Sequence, residues 1–141
     1  MTQVVKFAPA LFLFLPLIAA AAEKRDDAEK KAVASAEAWL GLLDQSKYSE
    51  AWDSAADYLK NAVTKQDFGK SLAAARKPLG KVKSRELKSK QHATSLPGAP
   101  DGEYVVIQFN TAFENKKSSV ETITPMLDKD KKWRVSGYFI K

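Results

Sequence analysis

A single histidine, His92, stands in the stretch QHATS, with the hydroxyl of Ser95 three positions later. A histidine and a hydroxyl are the raw material of nucleophilic catalysis, but spatial geometry makes the pair, and neighbours in a strand or loop seldom achieve it. A zinc site at His92 would need carboxylate partners, because the chain has no cysteine and no second histidine. No ligand-like spacing surrounds it. Asp53 and Asp57 are four positions apart and could share one helix face. Acid–base work by such a pair requires a dry pocket that separates the two pKa values; on a solvated face they are surface charges. Tyr48, Tyr104 and Tyr138 could line a pocket mouth, although tyrosine commonly anchors a core with its hydroxyl at the edge. Asp128 and Asp130 lack the full spacing of a calcium loop. Phosphate loop, dinucleotide fingerprint and nucleophile elbow are all missing. The residues thus name no catalytic, cofactor-binding or metal-binding set. They leave Tyr48, Asp53, His92, Tyr104, Arg134 and Tyr138 as candidates for a pocket or partner face.

Charge offers a second kind of chemistry. The chain carries a formal net charge of +6, and KVKSRELKSK (Lys81 to Lys90) holds Lys81, Lys83, Arg85, Lys88 and Lys90 against Glu86 alone. Such a field can steer an anionic partner or surface. The interleaved aromatics of a nucleic-acid stacking platform are missing from it. Membrane lipid, cell-wall polymer or an acidic protein fits better, and nucleic acid is not expected. The plain alternative is a solvated strand whose lysines protect an edge and keep the domain soluble.

The start of the chain sets the expected compartment. Lys6 is the one charge before FAPALFLFLPLI, which leads through Ala19–Ala22 to the charged run EKRDDAEKK. A short basic start, an apolar centre and small residues before a polar boundary describe a secretory signal peptide at residues 1–22. Cleavage after Ala22 is expected, with Ala21 nearly as good, leaving one domain at 23–141. Pro9 and Pro16 interrupt the apolar run, and a spanning helix wants about 20 uninterrupted apolar residues. The expected location is the periplasm of a Gram-negative cell, with no transmembrane segment after cleavage.

Periodicity supplies the elements. Ala28, Ala32, Ala36, Trp39, Leu40 and Leu43 recur at helical steps and predict a helix from Asp26 to Leu43. Ser49 predicts the cap of a second helix, with Tyr48, Trp52, Ala55, Ala56 and Leu59 on its apolar side. TKQD predicts a third helix capped by Thr64 and supported by Asp67. Arg76 and Lys77 suit its last turn, so helix electrostatics accounts for them without a ligand. Pro78 and Gly80 end it.

Beyond Gly80 the period becomes two. Residues 81–95 predict a bulge or a mostly exposed edge strand, because Val82 and Leu87 differ in parity. YVVIQFNTAF (Tyr104 to Phe113) is the strongest strand, with a central place implied. ENKKSS predicts a turn, and VETITPML a strand with a break or edge position at Pro125. In KKWRVSGYFIK, strict alternation puts Trp133, Val135, Gly137 and Phe139 on the core face, and Arg134 and Tyr138 opposite. The architecture expected is α+β: N-terminal helices packed on a curved antiparallel sheet of three or four strands, in the manner of a cystatin-like or shortened cone-shaped fold.

AWLGLLDQSKYSEAWDSAADYLK, FGKSLAAARKPLG, YVVIQFNTAF and the WRVSGYFIK ending together resemble the bacterial "domain of unknown function 4019" family. The likeness runs from about Ala34 to Lys141 and implies export behind a signal peptide; no active residues come with it. A weaker likeness is to nuclear-transport-factor-2-like and cystatin-like folds, where fold does not imply function. The functional expectation is an exported non-catalytic module binding a small ligand, an envelope component or a protein partner. The alternatives are a small pocket enzyme using general acid–base chemistry, with Asp53 or His92, and a structural or inhibitor-like interaction domain.

Overall fold

A computed structural model describes residues 15–141, so residues 1–14, the larger part of the expected leader, lie outside the described residues. Helix α1 spans Leu15–Asp44, α2 Tyr48–Asp53, α3 Asp57–Ala62 and α4 Lys65–Arg76, followed by a short 3-10 turn at Lys77–Leu79. Strands β1 (Val82–Ala93), β2 (Tyr104–Phe113), β3 (Lys116–Leu127) and β4 (Trp133–Ile140) then form one antiparallel sheet in the order β1-β2-β3-β4. The sheet is an open meander with the helices on one face, an α+β arrangement. Among the described residues, no helix is long and apolar enough to cross a membrane.

The stripe on α1 is the core seam. Ala32, Ala36, Trp39, Leu40 and Leu43 are buried, against Val105, Ile107, Phe109, Ile123 and Val135 of the sheet. Alanines at 32 and 36 add no bulk, so the helix can lie close over the strands. Thr64 caps α4 as expected, its hydroxyl accepting from the Asp67 N–H at 3.2 Å.

One expected helix is two. The segment from Ser49 to Leu59 breaks at Ser54–Ala56, and α2 begins at Tyr48 with Lys47 at its cap position, so Ser49 caps nothing. A tertiary bond explains the break. Ala56 adopts an extended backbone, and its N–H donates to the Val135 carbonyl of β4 at 2.9 Å. Ser54 assists by donating its hydroxyl to the Glu50 carbonyl at 3.0 Å, a side-chain bond that competes with helical continuation. Local pattern cannot show a partner so distant in sequence.

The sheet corrects two readings. The turn before β3 needs only Glu114 and Asn115, so KKSS belongs to the strand. In β4, Thr124 pairs with Gly137 but Pro125 pairs with Val135, which makes Ser136 an extra residue. A one-residue bulge reverses which face every later side chain meets. Tyr138 therefore pairs with buried Ile123 and turns inward, while Phe139 turns outward and stays 54 % exposed. Phe139 is not core, and Arg134 and Tyr138 do not share a face. Pro125, which cannot donate to a ladder, sits at this irregularity, the local break its position implied.

Candidate functional site

The most chemically loaded group in the fold is a partly buried cluster built from six elements, with Glu121, Arg76 and Thr111 buried and Asp44 at the surface. Asp44 ends α1, Arg76 ends α4, Arg85 comes from β1, Thr111 from β2, Glu121 from β3 and Tyr138 from β4. Glu121 is fully buried. It has the parity of Ile123 and Pro125, and the strand carries all three to the helix side. Its carboxylate accepts from Arg85 Nε at 2.7 Å, from the Thr111 hydroxyl at 2.5 Å and from the Tyr138 hydroxyl. Arg85 also grips Asp44 with both terminal nitrogens, at 2.7 and 3.0 Å. Arg76 donates Nη2 to Asp44 at 2.7 Å, lies over the Phe113 ring, and places Nη1 3.9 Å from the Glu121 carboxylate. Its Nε and Nη1 are buried with no hydrogen-bond partner among the described residues.

Two arginines against two carboxylates leave the cluster without net charge. Burial would push the Asp44 carboxyl up, but hydrogen bonds from Arg85 and Arg76 outweigh it and hold the pKa below its ordinary value. Burial likewise opposes the charge on Arg85, yet its bonds to Asp44 and Glu121 raise its pKa further. The Tyr138 phenol is pushed well up by burial first and by the Glu121 charge second. Both carboxylates are thus spent on other members, whereas Arg76 keeps Nε and Nη1 without a hydrogen bond among the described residues. The arrangement is a clasp that ties the ends of α1 and α4 to all four strands, with an open cleft of about 340 Å³ at its outer side lined by Tyr48, Asp44, Arg76, Lys77 and Lys81.

The clasp has an acid-side signature. A lowered folded pKa means that the unfolded chain binds the proton first. Asp44 therefore contributes stability that is fully present above its ordinary value of about 3.9 and is lost as pH falls through the folded value. Urea unfolding at a series of pH values is expected to show a shallower acid limb in Asp44→Asn than in the natural chain. Parallel limbs would show that Asp44 is not coupled to the arginines as described.

The residues singled out from sequence are dispersed. Tyr48 is half-buried at the cleft. Asp53 ends α2 and pairs with Lys65 at 2.7 Å, while Asp57 opens α3, so the two do not ride one helix. His92 is 3.4 Å from Glu103. It shares a sheet face with buried Val105 and lines an open hollow with Arg25 and Glu29. Tyr104 lies on the outer face, where its hydroxyl donates to the Pro100 carbonyl at 2.6 Å. Arg134 is held by Asp128 and Asp130 at 2.8–3.0 Å in the β3–β4 turn. Tyr138 alone joins the clasp, so the three tyrosines line no common mouth. The five basic residues of the Lys81–Lys90 run, four of them on β1, also separate. Lys83 and Lys88 fall at two bulges, Arg85 and Lys90 face the helix layer, and Arg85 belongs to the clasp.

Sequence reasoning missed Asp44, Thr111 and Glu121, and took Arg76 for a helix-end charge. The parity that aligns Glu121 with Ile123 was the one local signal, and it is visible only once Ile123 is known to point inward.

The family described as "Protein of unknown function (DUF4019)" matches residues 35–138, which spans α1 from Ser35 through Tyr138 of β4. The chain belongs to this family. The matched segment contains every member of the clasp. A search of curated proteins gave no match, and a search of solved structures gave none either.

Proposed function

We propose that the chain is an exported, non-catalytic module that binds an anionic envelope partner, such as an acidic protein or anionic polymer, along β1. The observation that carries this reading is the state of that strand. β1 is the free edge of the sheet and mostly exposed, and Lys81, Lys83 and Lys88 are exposed with no ion pair among the described residues. Three unspent cations on one edge attract negative charge within a screening length of about 8 Å at physiological salt. The clasp supports the non-catalytic part, because both of its carboxylates are engaged by Arg76, Arg85, Thr111 and Tyr138. The leader pattern before Glu23 supports export. One long helix lying across a four-strand meander supports the cystatin-like reading of the fold.

Replacement of Lys81, Lys83, Lys88 and Lys90 by glutamine tests the reading, with binding to anionic envelope extract measured over a salt series. The natural chain is expected to bind less as salt rises, and the fourfold variant to lose most of that binding. Equal binding by the two proteins at every salt concentration would overturn the role of β1.

A further inference from the structure

We propose that the cleft beside the clasp is a binding site for a small organic acid, its carboxylate held by Arg76, Lys77 and Lys81 and its apolar body against the Tyr48 ring. The site shares Lys81 with the reading of β1 and does not depend on it.

The cleft lies where several elements end. Asp44 ends α1, Tyr48 opens α2, Arg76 ends α4, Lys81 leads into β1, and Glu114 stands in the turn between β2 and β3. Hydrogen bonds fix the rim. The Glu114 N–H donates to the Lys81 carbonyl at 2.8 Å, the Asn115 N–H to the Leu79 carbonyl at 2.9 Å, and Asn115 Nδ2 to the Pro78 carbonyl at 3.0 Å. Gly80 lets the two segments close. Its φ is +75°, and a Cβ there would meet Glu114 Cβ at 3.0 Å. A rim held in this way is preformed, as ligand sites commonly are. The volume of about 340 Å³ lies at the small end of the range for ligand pockets, about 300–1,000 Å³.

Five lining residues are charged: Asp44, Arg76, Lys77, Lys81 and Glu114. The acids are committed. Asp44 accepts from Arg76 at 2.7 Å and from Arg85 at 2.7 and 3.0 Å. Glu114 Oε1 accepts the Lys81 backbone N–H at 2.8 Å. The cations are less so. Lys77 and Lys81 are exposed, with no ion pair among the described residues. Arg76 is 5 % exposed, and its Nε and Nη1 are buried with no hydrogen-bond partner among the described residues. Glu121 stands 3.9 Å from Nη1, near enough for its charge to act but too far for a hydrogen bond. Folded proteins leave few buried donors unpaired, and a water or an ion often explains one. A guanidinium cannot shed its proton instead, so an acceptor must come to it. A carboxylate entering the cleft finds two unpaired ammonium groups and a guanidinium with donors to spare, and bonds of this charged kind are the strong ones. The Tyr48 ring, half-buried in the wall, adds apolar contact that an inorganic ion cannot use. The concave shape and small volume suit a small molecule rather than a polymer.

Nitrogen-15 NMR of the protein, expressed with its own N-terminal sequence, tests this, with benzoate, hexanoate and inorganic phosphate each titrated at constant ionic strength. The chain has four arginines, so their Nε–H signals are few enough to assign. Either acid is expected to shift the Arg76 Nε–H and the Lys81 amide together and saturably, with a dissociation constant of about 1 mM. Phosphate is expected to bind at least about tenfold more weakly, because the ring gives it no apolar contact. Joint replacement Lys77→Gln and Lys81→Gln is expected to weaken acid binding at least about tenfold, as loss of bonds to a charged group does. Joint replacement Lys83→Gln and Lys88→Gln should leave acid binding unchanged, which separates this site from β1. Amide spectra of both variants should otherwise match the natural chain. The inference is overturned if neither acid gives saturable shifts. It is also overturned by shifts that leave the Arg76 Nε–H in place, since water then satisfies the guanidinium. Phosphate binding as tight as that of the acids would make the cleft a site for an adventitious ion only and would overturn it too.

Discussion

Glu121→Ala is expected to cost about 3–5 kcal/mol, because it breaks a buried charge network and leaves arginine charge without its partner. Such a loss approaches the whole stability of many domains, which is about 5–15 kcal/mol. Arg85 would keep Asp44, but Nε would lose its acceptor, and Thr111 and Tyr138 would lose theirs. Arg76, at 5 % exposure, could not turn to water for compensation. Tyr138→Phe provides the graded comparison. It removes a single bond to a charged acceptor, worth about 1.5–3 kcal/mol, and keeps the ring in the core. Urea unfolding of both variants checks the order. A Glu121→Ala protein within about 1 kcal/mol of the natural chain would show that the clasp contributes little, as holds for some buried ion pairs that better-packed apolar groups can replace.

Trp39→Ala is the second large effect, also expected at about 3–5 kcal/mol. Trp39 is 3 % exposed at the middle of the seam between α1 and the sheet. Its ring meets Tyr138 edge-on at 5.5 Å and lies 6.0 Å from Phe68 of α4. Its Nε1–H donates to the Ala51 carbonyl of α2 at 2.8 Å. One side chain therefore joins three helices and β4, and its removal opens a cavity and takes from the Ala51 carbonyl its shorter hydrogen bond, leaving it the Ser54 hydroxyl at 3.2 Å. Trp39→Phe keeps most of the volume and loses the bond, so a smaller cost of about 1–2 kcal/mol is expected. Thermal unfolding followed by circular dichroism distinguishes the two substitutions. Equal losses would assign the effect to the hydrogen bond alone; the cavity account requires the alanine to be clearly worse.

Both sites show how far local pattern reaches. Trp39 was legible because α1 repeats its apolar residues at steps of three and four, and the helical period alone puts it on the buried stripe. Thr64 and Asp67 were legible because a cap is formed within four residues. Glu121 was not. In VETITPML alternation defines two faces without saying which is inside, and a carboxylate argues for the outside. Arg85 stood in a run of lysines that reads as solvated charge. What distinguishes it is the single carboxylate brought opposite by β2 and β3, together with the end of α1.

For this protein, residue order by itself determined the α+β class, the helix-then-meander sequence of elements, the family resemblance, the core stripe of α1 and the strong strand at Tyr104–Phe113. These follow from periodicity and capping, which act over a few residues. Tertiary structure alone decided the break at Ala56, the inversion that buries Tyr138 and exposes Phe139, and the six-element clasp around Glu121. Each depends on a partner far away in the chain: the Val135 carbonyl for Ala56, the β3 register for β4, and two arginines for one carboxylate. The burial of Glu121 depends on charges that only the folded chain brings together, because a carboxylate leaves water only where donors have been assembled to receive it.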